Sequence, residues 1–241
     1  MRPLIQLNNV TVGYLSETII QDLSLDIHSG EIIGIFGHNG AGKTTLLCAV
    51  NGLAEIFSGN VFIDGVELTK FNGNRLRKNI GYVPQHFEID PKLPIISKDV
   101  ILMGRYPKME FLKRLTQMEK KLFYEVIKLL SLSSIIEKPF GQLSGGEKKK
   151  ILIGRALMQE PQIMLFDEIF AWLDREMVKN FVDIILQLHK INKQTILLVS
   201  HDIDIIKKLC NRVVWMERGN IVMDVDIKQF LSSTKLLNGT N

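Results

Sequence analysis

The chain has 241 residues, 46% hydrophobic and 23% charged, with a formal charge of +4. That length buries a sizeable core, and the composition excludes a disordered polar segment. No apolar run approaches the ~20 residues of a membrane span, residues 1–10 hold no apolar leader, and Cys48 and Cys210 have neither metal-type nor disulfide-framework spacing.

In chain order, the first third alternates short strand patterns with turns. Leu23, Leu25 and Ile27 alternate with Ser24 and Asp26, the period of a half-buried strand. Glu31 to Phe36 is apolar enough for a buried strand and leads through a glycine loop into a helix from Lys43 to about Gly52. Val61 to Ile63 before Asp64-Gly65 predicts a strand and a hairpin turn. The middle is helical: Thr116 to Ser131 places Met118, Leu122, Val126, Leu129 and Leu130 near helical spacing, and Ser144-Gly145-Gly146 opens a second helix through Met158. The last third predicts strand Ile163 to Phe166, helix Arg175 to Lys190, strand Thr195 to Val199 and helix Asp202 to Leu209. A hairpin of Val213 to Met216 with Ile221 to Met223 follows. Buried strands joined by helices argue for a parallel α/β core, with the front strands and middle helices as attached lobes.

Gly37-His38-Asn39-Gly40-Ala41-Gly42-Lys43-Thr44, followed by Thr45, fits a phosphate-binding loop between a strand and a helix. Glycines let backbone N–H groups curl around phosphates, and the helix presents its positive end. Lys43 reaches the β- and γ-phosphates of ATP, and the Thr44 hydroxyl suits Mg²⁺. The apolar strand at 163–166 ends in Asp167, placed to hold Mg²⁺, and Glu168, placed to polarise a water. Ser144-Gly145-Gly146-Glu147 is a second anion site at a helix start. A single ATP needs only one such element, so the second is expected to complete the site of a second copy, head to tail, giving two ATP sites per homodimer. Tyr14 is placed either to stack on a purine or simply to pack.

With these motifs in place, the sequence resembles the ATP-binding cassette family over essentially its whole length. The resemblance implies a P-loop NTPase (RecA-like) α/β core, carried by residues 1–85 and 160–241 together with an antiparallel β lobe. It places an inserted helical lobe at 86–159, all within one domain. It makes Tyr14 the base-stacking aromatic and Gln85 the glutamine linking the γ-phosphate and Mg²⁺ to the helical lobe. Ser144 to Glu147 becomes the signature motif, Asp174 part of the D-loop and His201 the γ-phosphate sensor. Three positions depart from the family pattern: Ile169 replaces a proline, Trp172 a small residue, and Lys148-Lys149-Lys150 a Gln/Arg-rich run that reads as a solvated helix face.

Asp99 to Pro107, and Asp90 to Ile95 before it, resemble the importers of metals and metal chelates, the zinc and manganese type in particular. The expected partners are integral membrane permease subunits and a solute-binding protein, with the chain peripheral on the cytoplasmic face of the membrane and no nucleic acid bound. The alternative is a soluble ATPase of the same fold in assembly or nucleic-acid processes. Leu102 to Pro107 either docks a permease helix, with Arg105 as polar anchor, or packs within its own lobe through an internal salt bridge.

Overall fold

The structure is a computed structural model that describes residues 2–87, 90, 93–109 and 114–238. Pro91 and Lys92 of the metal-importer resemblance lie outside the described residues. The chain opens with two long strands, β1 (Ile5–Tyr14) and β2 (Glu17–Ile27), then β3 (Ile32–Phe36) and helix α1 (Lys43–Val50). Next come β4 (Glu55–Ile63), β5 (Val66–Glu67), α2 (Gly73–Arg77) and β6 (Ile80–Val83). Three helices follow: α3 (Ser97–Leu102), α4 (Gln117–Leu130) and α5 (Gly145–Leu157). The chain then returns to alternation with β7 (Ile163–Asp167), α6 (Arg175–Asn192), β8 (Thr195–Val199), α7 (Ile203–Leu209), β9 (Arg212–Glu217), β10 (Asn220–Asp226) and α8 (Ile227–Asn238).

The strands form two sheets. One is antiparallel, in the order β2-β1-β4-β5; the other runs β10-β9-β3-β8-β7-β6. In the second sheet every neighbouring pair from β9 to β6 is parallel, and β10 pairs antiparallel with β9 at the edge. Successive side chains of a strand point to opposite faces. Ile32, Met164, Phe166, Ile196 and Leu198 therefore feed one core with the helices, while Ile33, Ile35, Leu165, Leu197 and Val199 feed the other with α1 and the antiparallel sheet. The Asp64-Gly65 turn has φ of 49° and 68°, the left-handed pair that matches hairpin twist.

Thr116 caps α4 through a reciprocal box with Glu119. Met118, expected on the apolar face, instead points to solvent, and Phe123 takes a core place beside Val126 and Leu130. The inward face of α4 runs through Glu119, Phe123, Val126 and Leu130, and Met118 lies one position off that face. Gly104 lets the end of α3 lie against α5, since a Cβ there would run into the Arg155 carbonyl. Of the two readings of Arg105, the structure carries the internal one. Its guanidinium bonds Glu119 at 2.7 Å and Glu160 at 2.7 Å and reaches the Met158 carbonyl at 3.4 Å, which leaves this side chain committed within the chain rather than presented as an anchor. Tyr106 and Pro107 beside it are exposed.

Candidate active site

In an open parallel sheet, ligands bind beyond the carboxyl ends of the strands. Here four neighbouring strands, β3, β8, β7 and β6, end on the same edge. β3 leads into the 37–44 loop, β8 into Ser200-His201, β7 into Asp167-Glu168 and β6 into Pro84-Gln85. Fold topology alone thus gathers four segments that lie far apart in sequence.

The glycine loop takes the backbone its sequence demands. Gly40 and Gly42 have φ of 80° and 96°. Gly37 closes on the β9 end, where a Cβ would meet the Met216 carbonyl. His38, Asn39 and Gly40 are exposed, and Ala41 is buried beneath them. Lys43 is buried and folds back, its Nζ donating to the carbonyls of Gly37 at 2.8 Å and His38 at 2.9 Å. Burial lowers its pKa, while the nearby Glu168 and Asp167 carboxylates work the other way.

Thr44 Oγ1 donates to Asp167 Oδ1 at 3.1 Å, joining the loop to the end of β7. Asp167 is only 1% exposed, and burial pushes its carboxyl above the usual range against the bonds from Thr44 and Tyr82. A buried oxygen pair beside a threonine hydroxyl fits Mg²⁺, which takes one or two carboxylates plus phosphate oxygens. Glu168 follows with a left-handed φ of 48°, and its Oε2 lies 3.0 Å from Nδ1 of His201, whose ring is otherwise exposed. The carboxylate orients the ring, and the arrangement sets an acid–base pair beside the phosphate loop.

Tyr14 ends β1 over α1, with Thr45 and Cys48 in reach of its hydroxyl; burial first, then Cys48, push its pKa up to about 12. Gln85 is exposed just past β6, and the base of its loop is held by Arg155, which stacks 4.5 Å from the Phe87 ring and donates to the Tyr82 carbonyl at 3.4 Å.

Ser144 and Glu147 are not brought to this edge by hydrogen bonds of their own. They form a reciprocal cap at the start of α5, Ser144 N to Glu147 Oε2 at 2.8 Å and Glu147 N to Ser144 Oγ at 3.3 Å. Hydrogen bonds from the Ser144 backbone N–H, first, and its hydroxyl hold the Glu147 carboxyl below its ordinary value. Ser144 and Gly145 are exposed, whereas Gly146 packs on Met177 and Leu173. Asp174 likewise caps its own helix, Oδ1 accepting from Met177 N at 2.8 Å.

Two residues near the site escape sequence reasoning. The Tyr82 hydroxyl lies 3.5 Å from Asp167 Oδ2; a tyrosine in a buried strand needs a partner for its oxygen, and that was the available signal. Lys149, expected on a solvated face, turns inward to the Ala171 carbonyl at 2.5 Å. Lys148 of the same run lies 5.8 Å over the Phe140 ring. Ile169 is fully buried, and Trp172 is 97% exposed with φ 64°, which excludes the single-chain core as its place.

The family model for the ABC transporter matches residues 20–171. The chain is 34% identical over 241 residues to the methionine import ATP-binding protein MetN of Clostridioides difficile, covering 96% of this chain and 72% of that protein. It is 35% identical over 196 residues to the manganese transport system ATP-binding protein MntB of Listeria innocua, covering 81% and 79%. Among solved structures it superposes on the dimeric post-hydrolysis state of the ATP-binding cassette MJ0796 bound to ADP and Pi, with a TM-score of 0.81, 25% identity and 92% and 98% coverage. Among the described residues no helix is long and apolar enough to cross a membrane. With the family model matched over well more than half the chain and a phosphate loop, an Asp-Glu pair and a histidine on one sheet edge, this chain belongs to the ABC transporter family as an ATPase.

Proposed function

We propose that the chain is the ATPase subunit of an importer and works as a homodimer with two shared ATP sites. The observation that carries this is the division of its phosphate-binding equipment. Lys43, Thr44, Asp167, Glu168 and His201 converge on one edge, while the exposed Ser144-Gly145 start of α5 is joined to none of them by the described hydrogen bonds. On this reading Lys43 and the loop N–H groups from Gly37 to Thr45 bind the phosphates of ATP, and Tyr14 faces the base. Thr44, Asp167 and Gln85 hold Mg²⁺, which would neutralise phosphate charge. Glu168 takes a proton from the attacking water, and His201, fixed by Glu168, faces the γ-phosphate. Ser144 to Glu147, with Asp174 nearby, face the nucleotide of the second copy.

The segments 1–85 and 160–241 then act as the nucleotide-binding body, and 86–159 as the lobe that moves a permease. The chain sits on the cytoplasmic face of the membrane, and a solute-binding protein delivers the cargo. Asp99 to Pro107 and the similarity to MntB favour a transition metal, zinc or manganese, or a metal chelate as that cargo. The methionine and glutamate/aspartate import relatives name the competing cargoes.

The dimer is tested with Glu168→Gln, which keeps the phosphate ligands and loses the base. Light scattering with ATP and Mg²⁺ should show the mass of two chains, because ATP shared between copies stabilises the pair by linkage. Saturating ATP binding at the mass of one chain would refute the shared site. For the cargo, a strain lacking the chain should grow poorly on limiting zinc or manganese and recover when either is supplied in excess; rescue by methionine instead would move the assignment.

A further inference from the structure

Three consecutive lysines, Lys148 to Lys150, follow the capped first turn of α5. Lys149 crosses to another element. Its ammonium donates to the Ala171 carbonyl at 2.5 Å and lies within the field of the Glu168 carboxylate. Ala171 belongs to the loop between β7 and α6. That loop holds two non-glycine residues in the left-handed region, Glu168 at φ 48° and Trp172 at φ 64°. Such backbone persists only where the surroundings fix it. Ile169 and Phe170 anchor the first half of the loop in the core. The second half is half-buried at Ala171 and Leu173 and exposed at Trp172; Ala171 N donates to the Glu168 carbonyl at 3.1 Å, Leu173 N to the Phe170 carbonyl at 3.4 Å, and Lys149 ties Ala171 to α5.

We propose that Lys149 is a positioning residue that fixes the Glu168 loop to the helix beginning at Ser144. A displacement of the α5 start then moves Ala171, and with it the register of Glu168 on its own nucleotide. The inference rests on the shared-site reading in one respect. If the α5 start meets the second copy's phosphate, Lys149 also makes each glutamate respond to the other site, so it supports cooperativity as well as rate.

The experiment compares the wild-type chain with Lys149→Met, Lys149→Arg and Lys149→Gln. Each is made also in a Trp215→Phe background, so that Trp172, next to Ala171, reports on the loop alone. Lys149→Met should lower kcat about tenfold, with KM for ATP within twofold and a fall in melting temperature of only a few degrees that does not account for the lost rate. Trp172 anisotropy should fall, showing a looser loop, and Lys149→Arg should recover most of both signals. Lys149→Gln keeps a donor without the charge and should fall between Met and Arg. A kcat for Lys149→Met within twofold of wild type would overturn the proposal. So would unchanged Trp172 anisotropy, or a loss of kcat that tracks a lowered melting temperature and is not rescued by Arg. The two readings separate in the dimer test. If Glu168→Gln binds ATP at the mass of one chain while Lys149→Met still loses kcat and loosens Trp172, the positioning role stands and the shared site falls.

Discussion

Arg105→Ala should destabilise the chain by itself, with no partner present. The guanidinium is 15% exposed and holds two carboxylates, Glu119 at 11% exposure and Glu160 at 57%, each at 2.7 Å. A hydrogen bond to a buried charge is worth about 1.5–3 kcal/mol, and the pair with the exposed Glu160 adds about 0–1 kcal/mol. Glu119 keeps its bonds from Thr116 N at 2.7 Å and Thr116 Oγ1 at 2.9 Å, so its charge is not orphaned. The expected loss is about 2–4 kcal/mol, a fall in Tm on the order of 8 °C for a chain of this size. The pH dependence has a definite sign. The Arg105 bond, then those from Thr116, hold the Glu119 carboxyl below its ordinary 4.5. A depressed carboxyl contributes stability above its unfolded value and loses it as pH falls through the folded one. The gap in Tm between wild type and variant should therefore be full at pH 7 and shrink below about pH 4. Thermal unfolding followed by circular dichroism between pH 3 and 8 measures both. A shift under 2 °C at pH 7, with permease assembly lost, would refute the internal clamp and return Arg105 to the partner surface.

Tyr82→Phe removes the hydroxyl that faces Asp167 Oδ2 and Cys48; the Mg²⁺ concentration for half-maximal ATPase activity should rise about twofold to fivefold, as expected for weak hydrogen bonding, with little change in Tm. An unchanged Mg²⁺ titration would show that Thr44 alone orients the aspartate. Trp172, nearly fully exposed in the single chain, should change its emission on addition of ATP and Mg²⁺ to the Glu168→Gln, Trp215→Phe double variant, because closure against a second copy removes it from water. A silent Trp172 under conditions where the mass doubles would place it outside the dimer seam.

What the sequence discloses follows from how local each cause is. The alternation of Leu23, Leu25 and Ile27 reappears as the buried face of β2, because a two-residue period is a property of the strand itself. The Thr195–Val199 strand keeps its expected ends, and the glycine loop falls between β3 and α1 as its motif requires. The site residues at the strand ends were legible because each motif is local to one strand end, although only the sheet order brings those ends together. Long-range choices were not. Lys149 looks like any surface lysine until the 168–174 loop is folded beneath it, and Arg105 offers no sign of Glu119 and Glu160, which lie in two other segments. Met118 matched the helical period loosely, yet the packed face of α4 is set one position away, through Glu119, Phe123, Val126 and Leu130. Residues 5–14 form one strand of the antiparallel sheet whose bulges, at register shifts against β2 and β4, blur the alternation that a sequence pattern needs.

The central claim is that each ATP site is made from two chains, and complementation tests it most directly. Lys43→Ala destroys the phosphate loop of a chain and leaves its α5 start intact; Ser144→Arg does the reverse. Each variant alone should be inactive. Mixed in equal amounts, half of the dimers should be mixed pairs with one intact site of two, so about a quarter of wild-type ATPase activity should return. Activity in the mixture equal to the average of the separate variants would show that one chain forms its whole site alone, and would contradict the account.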